Sequence, residues 1–92
     1  MWSGGEKLGP PIYTRYEKIM ADVDSMAFKY GITRADILSR DRKRKYSWPR
    51  QEAYFILHRK HGLSLPRTGQ IMGRDHSTVL HGVRQHEARN AL

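Results

Sequence analysis

Arg74, Asp75, His76, Ser77 and Thr78 stand side by side just before Val79 and Leu80, within the stretch GRDHSTVLHG of residues 73–82. Together they offer a fixed cation, a carboxylate, an imidazole and two hydroxyls, so the cluster can donate and accept hydrogen bonds toward one ligand. Asp75 or Ser77 would cap any helix start. A nuclease could use Asp75, His76 and Glu87, but Glu87 lies about three helical turns from Asp75, and paired carboxylates at a metal-sharing spacing are lacking. The second concentration of chemistry is SRDRKRKYSWPR, residues 39–50, where Arg40, Arg42, Lys43, Arg44, Lys45 and Arg50 face a single acid, Asp41. Of a formal net charge of +8, +5 therefore falls between residues 40 and 50. Charge this local is a contact surface for a polyanion.

The histidines do not form a convincing metal set. His76, His81 and His86 are spaced by five, which rotates each about 140° from the last on a helix, whereas a helical pair of ligands needs i, i+3 or i, i+4. His58 and His61 have the shorter spacing, but no carboxylate or cysteine completes a site. No metal and no cofactor is expected.

Helices must hold these residues in place. Ile12, Tyr16, Ile19, Val23, Ala27 and Tyr30 recur at spacings of three and four, one stripe of a first helix ended by Gly31. Thr33 with Asp36 predicts a capping box, and Ile37 and Leu38 anchor a short second helix. Residues 40–46 carry so much like charge that they are expected as a loop. Ser47-Trp48-Pro49 then reads as the start of a third helix, with serine as cap and proline in the first turn. Ala53, Ile56 and Leu57 would face inward, Trp48 would pack against this helix, and Gly62 would end it. Ser64-Leu65-Pro66 repeats the device for a fourth helix running to Met72. Gly73 permits a sharp turn, and a fifth helix begins near Asp75. On it Val79, Gly82, Val83 and His86 form the inward stripe, while Ser77, His81 and Arg84 project from the other side. No strand pattern occurs, so the expected fold is all-α, a small domain of about five helices containing a helix-turn-helix.

Composition bounds the rest. Ninety-two residues make one domain with a modest core. Residues 1–10 lack an apolar period and are expected as a flexible lead-in to a domain spanning 11–92; Trp2 there is either a docking anchor or incidental. The absence of cysteine excludes disulfides and thiol catalysis. No apolar run of eighteen residues and no signal-peptide core are present, so a cytoplasmic protein off the membrane is expected. A monomer is expected too, because no heptad pattern marks a dimer seam.

A helix-turn-helix presents the first turn of its second helix end-on to the major groove. There an aspartate can accept from a cytosine amino group, and histidine and serine can donate or accept. Thr78 and the free N–H groups of the turn suit a phosphate at the positive end of the helix. The residues alone leave this reading and the ordinary capped helix both open. The basic run is chemically generic and also fits RNA or anionic lipid, although it is not an amphipathic helix and has no glycine-framed aromatic platform. A protein-interaction module using the lead-in is a third reading.

The segment SLPRTGQIMGRDHSTVLH, residues 64–81, resembles the signature of the C-terminal DNA-binding domain, domain IV, of the bacterial replication initiator DnaA. The likeness extends back through Pro49-Arg50-Gln51 and the basic loop to about Val23. It implies an all-α fold of the Trp-repressor and DnaA type, and double-stranded DNA carrying DnaA boxes as the partner. It further implies that Asp75, His76 and Ser77 read bases in the major groove and that Arg42 enters the adjacent minor groove. Arg50, Gln51 and Thr78 would hold backbone phosphates, with Arg40, Lys43, Arg44 and Lys45 along the same backbone, and Arg74 and His81, also at the backbone, would help position the turn. Two positions depart from the signature: Gly73 is single where two glycines are common, and Ser77 replaces the usual threonine and its methyl group. The initiator's phosphate loop, G-x-x-x-x-G-K-[S/T], is also missing. The expected protein is therefore a stand-alone DNA binder without ATPase, a transcription regulator or a competitor at DnaA boxes from a bacterium, phage or mobile element.

Overall fold

The computed structural model describes residues 14–91. The expected lead-in, with Trp2, and Ile12 of the first stripe lie outside the described residues. Five helices follow in order: α1 (Arg15–Lys29), α2 (Arg34–Leu38), α3 (Arg44–Phe55), α4 (Leu65–Met72) and α5 (His76–Arg89). Among the described residues there is no strand.

Thr14 and Glu17 start α1 with a reciprocal cap: the Thr14 hydroxyl accepts from the Glu17 N–H at 3.1 Å, and the Glu17 carboxylate accepts from the Thr14 N–H at 2.7 Å. The buried face is Ile19, Met20, Val23, Met26 and Ala27. Tyr16 and Tyr30, expected in the stripe, are exposed instead. A phenol needs a partner for its hydroxyl, and Tyr30 donates to the Glu52 carboxylate at the surface; the methionines carry no such demand. Thr33 and Asp36 cap α2 as the spacing predicts.

The start of α3 is a correction. It begins at Arg44, ahead of Ser47, with Lys43 at the cap position and no side-chain cap. Pro49 therefore lies inside the helix. Its missing N–H affects only the Lys45 carbonyl, which belongs to an exposed first turn where water can take its place. The like charges of that turn rest on aromatic faces, with Arg44 4.8 Å from the Trp48 ring and Lys45 5.1 Å from the Tyr46 ring. Trp48 does not pack inward as expected: it is 42 % exposed and also carries the Arg89 guanidinium, 4.4 Å from its centroid. Past Phe55 the helix widens into a π-type turn, Ile56–Lys60, closed by the His61 N–H on the Ile56 carbonyl at 3.0 Å.

The last two helices form as expected. Ser64 caps α4 by accepting from the Arg67 N–H at 3.1 Å. Gly73 ends it in the left-handed region at φ 68°, which a side chain would resist. Val79, Gly82 and Val83 of α5 are buried, and His86 lies half-buried with its ring 4.8 Å from that of Phe55. Val23 of α1, Ile37 of α2, Ala53 of α3, Leu57 of the π-type turn and Val79 and Val83 of α5 meet in one fully buried core.

The crossing of α3 and α5 depends on Gly82, because a Cβ there would run into the ring of buried Tyr54. Alanine gains roughly 1 kcal/mol of helix propensity over glycine, whereas overpacking costs about 1–3 kcal/mol. The steric cost should win, so Gly82→Ala is expected to lose about 1–2 kcal/mol in urea unfolding. A stabilised variant would mean that the two helices can part freely.

Candidate nucleic-acid interface

The polar cluster occupies the first turn of α5 and is turned outward. Asp75 is the N-cap: its carboxylate accepts from the Ser77 N–H at 2.9 Å, and its other oxygen lies 3.7 Å from His76 Nδ1. The bond from the Ser77 backbone, with the neighbouring imidazole as a lesser influence, holds the Asp75 carboxyl below the usual carboxylate range. His76, Ser77 and Thr78 are exposed, the His76 side chain to 60 %. Asp75 thus both caps the helix and keeps acceptor capacity pointing outward, so the capped-start and ligand-reading explanations coexist in one residue.

The basic loop is held by two arginines. Arg50, only 8 % exposed, donates to the carbonyls of Ile37 at 2.6 Å, Asp41 at 3.0 Å and Asp36 at 3.3 Å, and to the Ser39 hydroxyl at 3.3 Å. This departs from the expected phosphate contact. The guanidinium faces inward because the C-terminal carbonyls of α2 and the loop turn toward it: those of Ile37 and Asp41 find their donor there, and that of Asp36 accepts from it as well as from Ser39. Arg74, from the turn before α5, donates to the Ser39 carbonyl and to its neighbours Met72 and Gly73. The helix-turn-helix and the loop are therefore tied at Ser39. Arg40, Arg42, Lys43, Arg44 and Lys45 remain exposed around it.

Between α3 and α5 lies a cleft of about 130 Å³, walled by Ser47, Gln51 and Tyr54 on one side and Thr78, His81 and Gly82 on the other. Arg50 and Arg74 also line it. Arg89 donates to the Gln51 side-chain oxygen at 2.6 Å, which leaves the amide N–H groups of Gln51 for another partner. The expected residues Gln51, Thr78 and His81 are thus brought together, while Asp75, His76 and Ser77 lie next to Thr78 at the start of α5. Ser47 and Tyr54 were not anticipated at the site. Their spacing with Gln51, i, i+4 and i+7, was the available signal for one polar face of α3.

Comparison with known proteins agrees with this arrangement. The family described as bacterial dnaA protein helix-turn-helix matches residues 17–85. Over 62 residues, 67 % of this chain, it is 40 % identical to the chromosomal replication initiator protein DnaA 1 of Chlamydia muridarum. Over 63 residues it is 46 % identical to the DnaA of Caulobacter vibrioides, again 67 % of the chain. With the DnaA of Neisseria meningitidis it shares 40 % identity over 76 residues, 79 % of the chain. The matched segment spans 14 %, 13 % and 15 % of those three relatives. No solved structure matches the chain significantly. Family match, helical architecture and exposed first turn of α5 converge: the chain belongs to the bacterial DnaA helix-turn-helix family of DNA-binding domains.

Proposed function

We propose that the protein binds double-stranded DNA sequence-specifically at DnaA-box-like sites, without ATPase activity, and acts there as a transcription regulator or replication modulator. The observation that carries the reading is the tie at Ser39, by which Arg74 joins the outward turn of α5 to the basic loop. One rigid body then presents a base-reading helix end and a cationic loop to neighbouring grooves. Asp75, His76 and Ser77 contact base edges in the major groove, and Arg42 reaches the minor groove. Arg40, Lys43, Arg44, Lys45, Gln51, Thr78 and His81 line the backbone. Arg50 and Arg74 shape the surface from within. No nucleotide enters this scheme, and the sequence contains no G-x-x-x-x-G-K-[S/T] pattern.

Phosphate contacts supply affinity through counterion release, and base contacts supply discrimination. Lys43→Ala should therefore weaken box and scrambled duplexes by the same factor and reduce the magnitude of the salt slope by about one. Anisotropy titrations with both duplexes at several salt concentrations check this. The same titrations on the unaltered protein test the function. Tighter binding to the box at every salt is expected, and equal, steeply salt-dependent binding would reduce the function to non-specific attraction by residues 40–50.

A further inference from the structure

The Tyr54 hydroxyl is buried and has no hydrogen-bond partner among the described residues. Tyr54 is 2 % exposed, so this polar atom is withheld from water in the free protein. An unsatisfied buried hydroxyl is costly, and it persists only where something else satisfies it or function requires it. Its surroundings indicate what that is. Tyr54 lines the cleft between α3 and α5 together with Arg50 and Arg74, whose positive charges act on its phenol. Four of the five N–H groups that a guanidinium carries are already occupied in Arg50. Arg74 has three of its five occupied, so the arginines contribute mainly positive field, and further donors for an anion come from the rest of the cleft. The hydroxyls of Ser47 and Thr78 and the ring of His81 line the same cleft without hydrogen-bond partners among the described residues, as do the amide N–H groups of Gln51. Burial pushes the Tyr54 phenol up from its ordinary value, so near neutral pH it is a donor.

We propose that this cleft seats one phosphate of bound DNA, with the Tyr54 and Ser47 hydroxyls donating to its oxygens from the α3 side. This rests on the duplex-binding reading above and adds two residues that it does not contain. Gln51, Thr78 and His81, which line the same cleft, meet the other oxygens of that phosphate, and the Tyr54 hydroxyl gains its missing acceptor. Gly82 is part of the seat, because its lack of a side chain lets the Tyr54 ring lie against α5.

The test is Tyr54→Phe, which removes one oxygen and keeps the ring, with Ser47→Ala beside it. Both are titrated in the full chain against box and scrambled duplexes, and thermal melts are recorded with and without inorganic phosphate. Free Tyr54→Phe should melt at or above the temperature of the unaltered protein, because it no longer buries an unpaired hydroxyl. It should nevertheless bind both duplexes about tenfold more weakly, the loss expected for one hydrogen bond to a charged group. Ser47→Ala should lose affinity for both in the same way. Equal affinity for Tyr54→Phe and the unaltered protein overturns the proposal. So does a loss of affinity that comes with a lower melting temperature, which would make Tyr54 a packing residue. Stabilisation by inorganic phosphate with unchanged DNA affinity would assign the seat to a free anion and overturn it as well. If the unaltered protein binds neither duplex, the duplex-binding reading falls and takes this seat with it.

Discussion

Arg50→Ala is expected to lower the unfolding free energy by about 3–4 kcal/mol and to weaken binding to every duplex by more than one lost charge explains. Hydrogen bonds involving a charged group contribute about 1.5–3 kcal/mol each. Arg50 makes four, to three carbonyls and the Ser39 hydroxyl. Their simple sum overstates the loss, since three of the four are part-buried and water can replace the donor there. The Ile37 carbonyl is in the buried contact, so its desolvation cannot be relieved without opening α2. Arg50→Lys should rescue little. An ammonium is a point donor, whereas these acceptors are spread from Asp36 to Asp41 and match a planar fork. Urea unfolding measures the first effect and the salt slope the second. If Arg50→Ala kept full stability and only reduced the slope by about one, Arg50 would be a phosphate contact after all.

The sequence made α2, α4 and α5 readable because their signals are local. Thr33 closes a capping box with Asp36, Ser64 accepts from the Arg67 N–H just past Pro66, and Asp75 accepts from the Ser77 N–H after the turn at Gly73, all within a few residues. The start of α3 was obscured by the same local rules. Ser47 and Pro49 together look like a cap and a first turn, yet the helix is set by contacts distant in sequence: Arg50 on α2 and Arg89 on Trp48. Those contacts make an exposed, highly charged first turn tolerable, which charge counting treated as a reason against a helix. Arg50 itself illustrates the limit at the site. Its identity and its place beside Gln51 were legible, but whether a guanidinium points to solvent or to a loop carbonyl depends on where residues 36–41 fold. Ser47 and Tyr54 were overlooked for a related reason: a serine reads first as a cap and a tyrosine first as core, and only the approach of α5 turns both into walls of a cleft.

His76→Ala is expected to separate sequence reading from general attraction. The side chain is 60 % exposed and makes no hydrogen bond within the described chain beyond its neighbourly contact with Asp75 at 3.7 Å, so stability should hold to within about 0.5 kcal/mol. A side chain that pairs with a base edge accounts for about 1–3 kcal/mol of discrimination. Box affinity should therefore fall on the order of ten- to a hundredfold while scrambled-duplex affinity and the salt slope stay put. Asp75→Ala cannot make this separation, because Asp75 also caps α5 and its loss costs about 0.5–2 kcal/mol of stability. Asp75→Ser keeps a capping oxygen and removes the charge, so any loss of box preference it shows belongs to base contact or to the charge itself. The combination is decisive for the orientation of α5. If His76→Ala weakens box and scrambled DNA equally, the first turn of α5 lies along the backbone and the preference for a box must come from Arg42 and the shape of the minor groove.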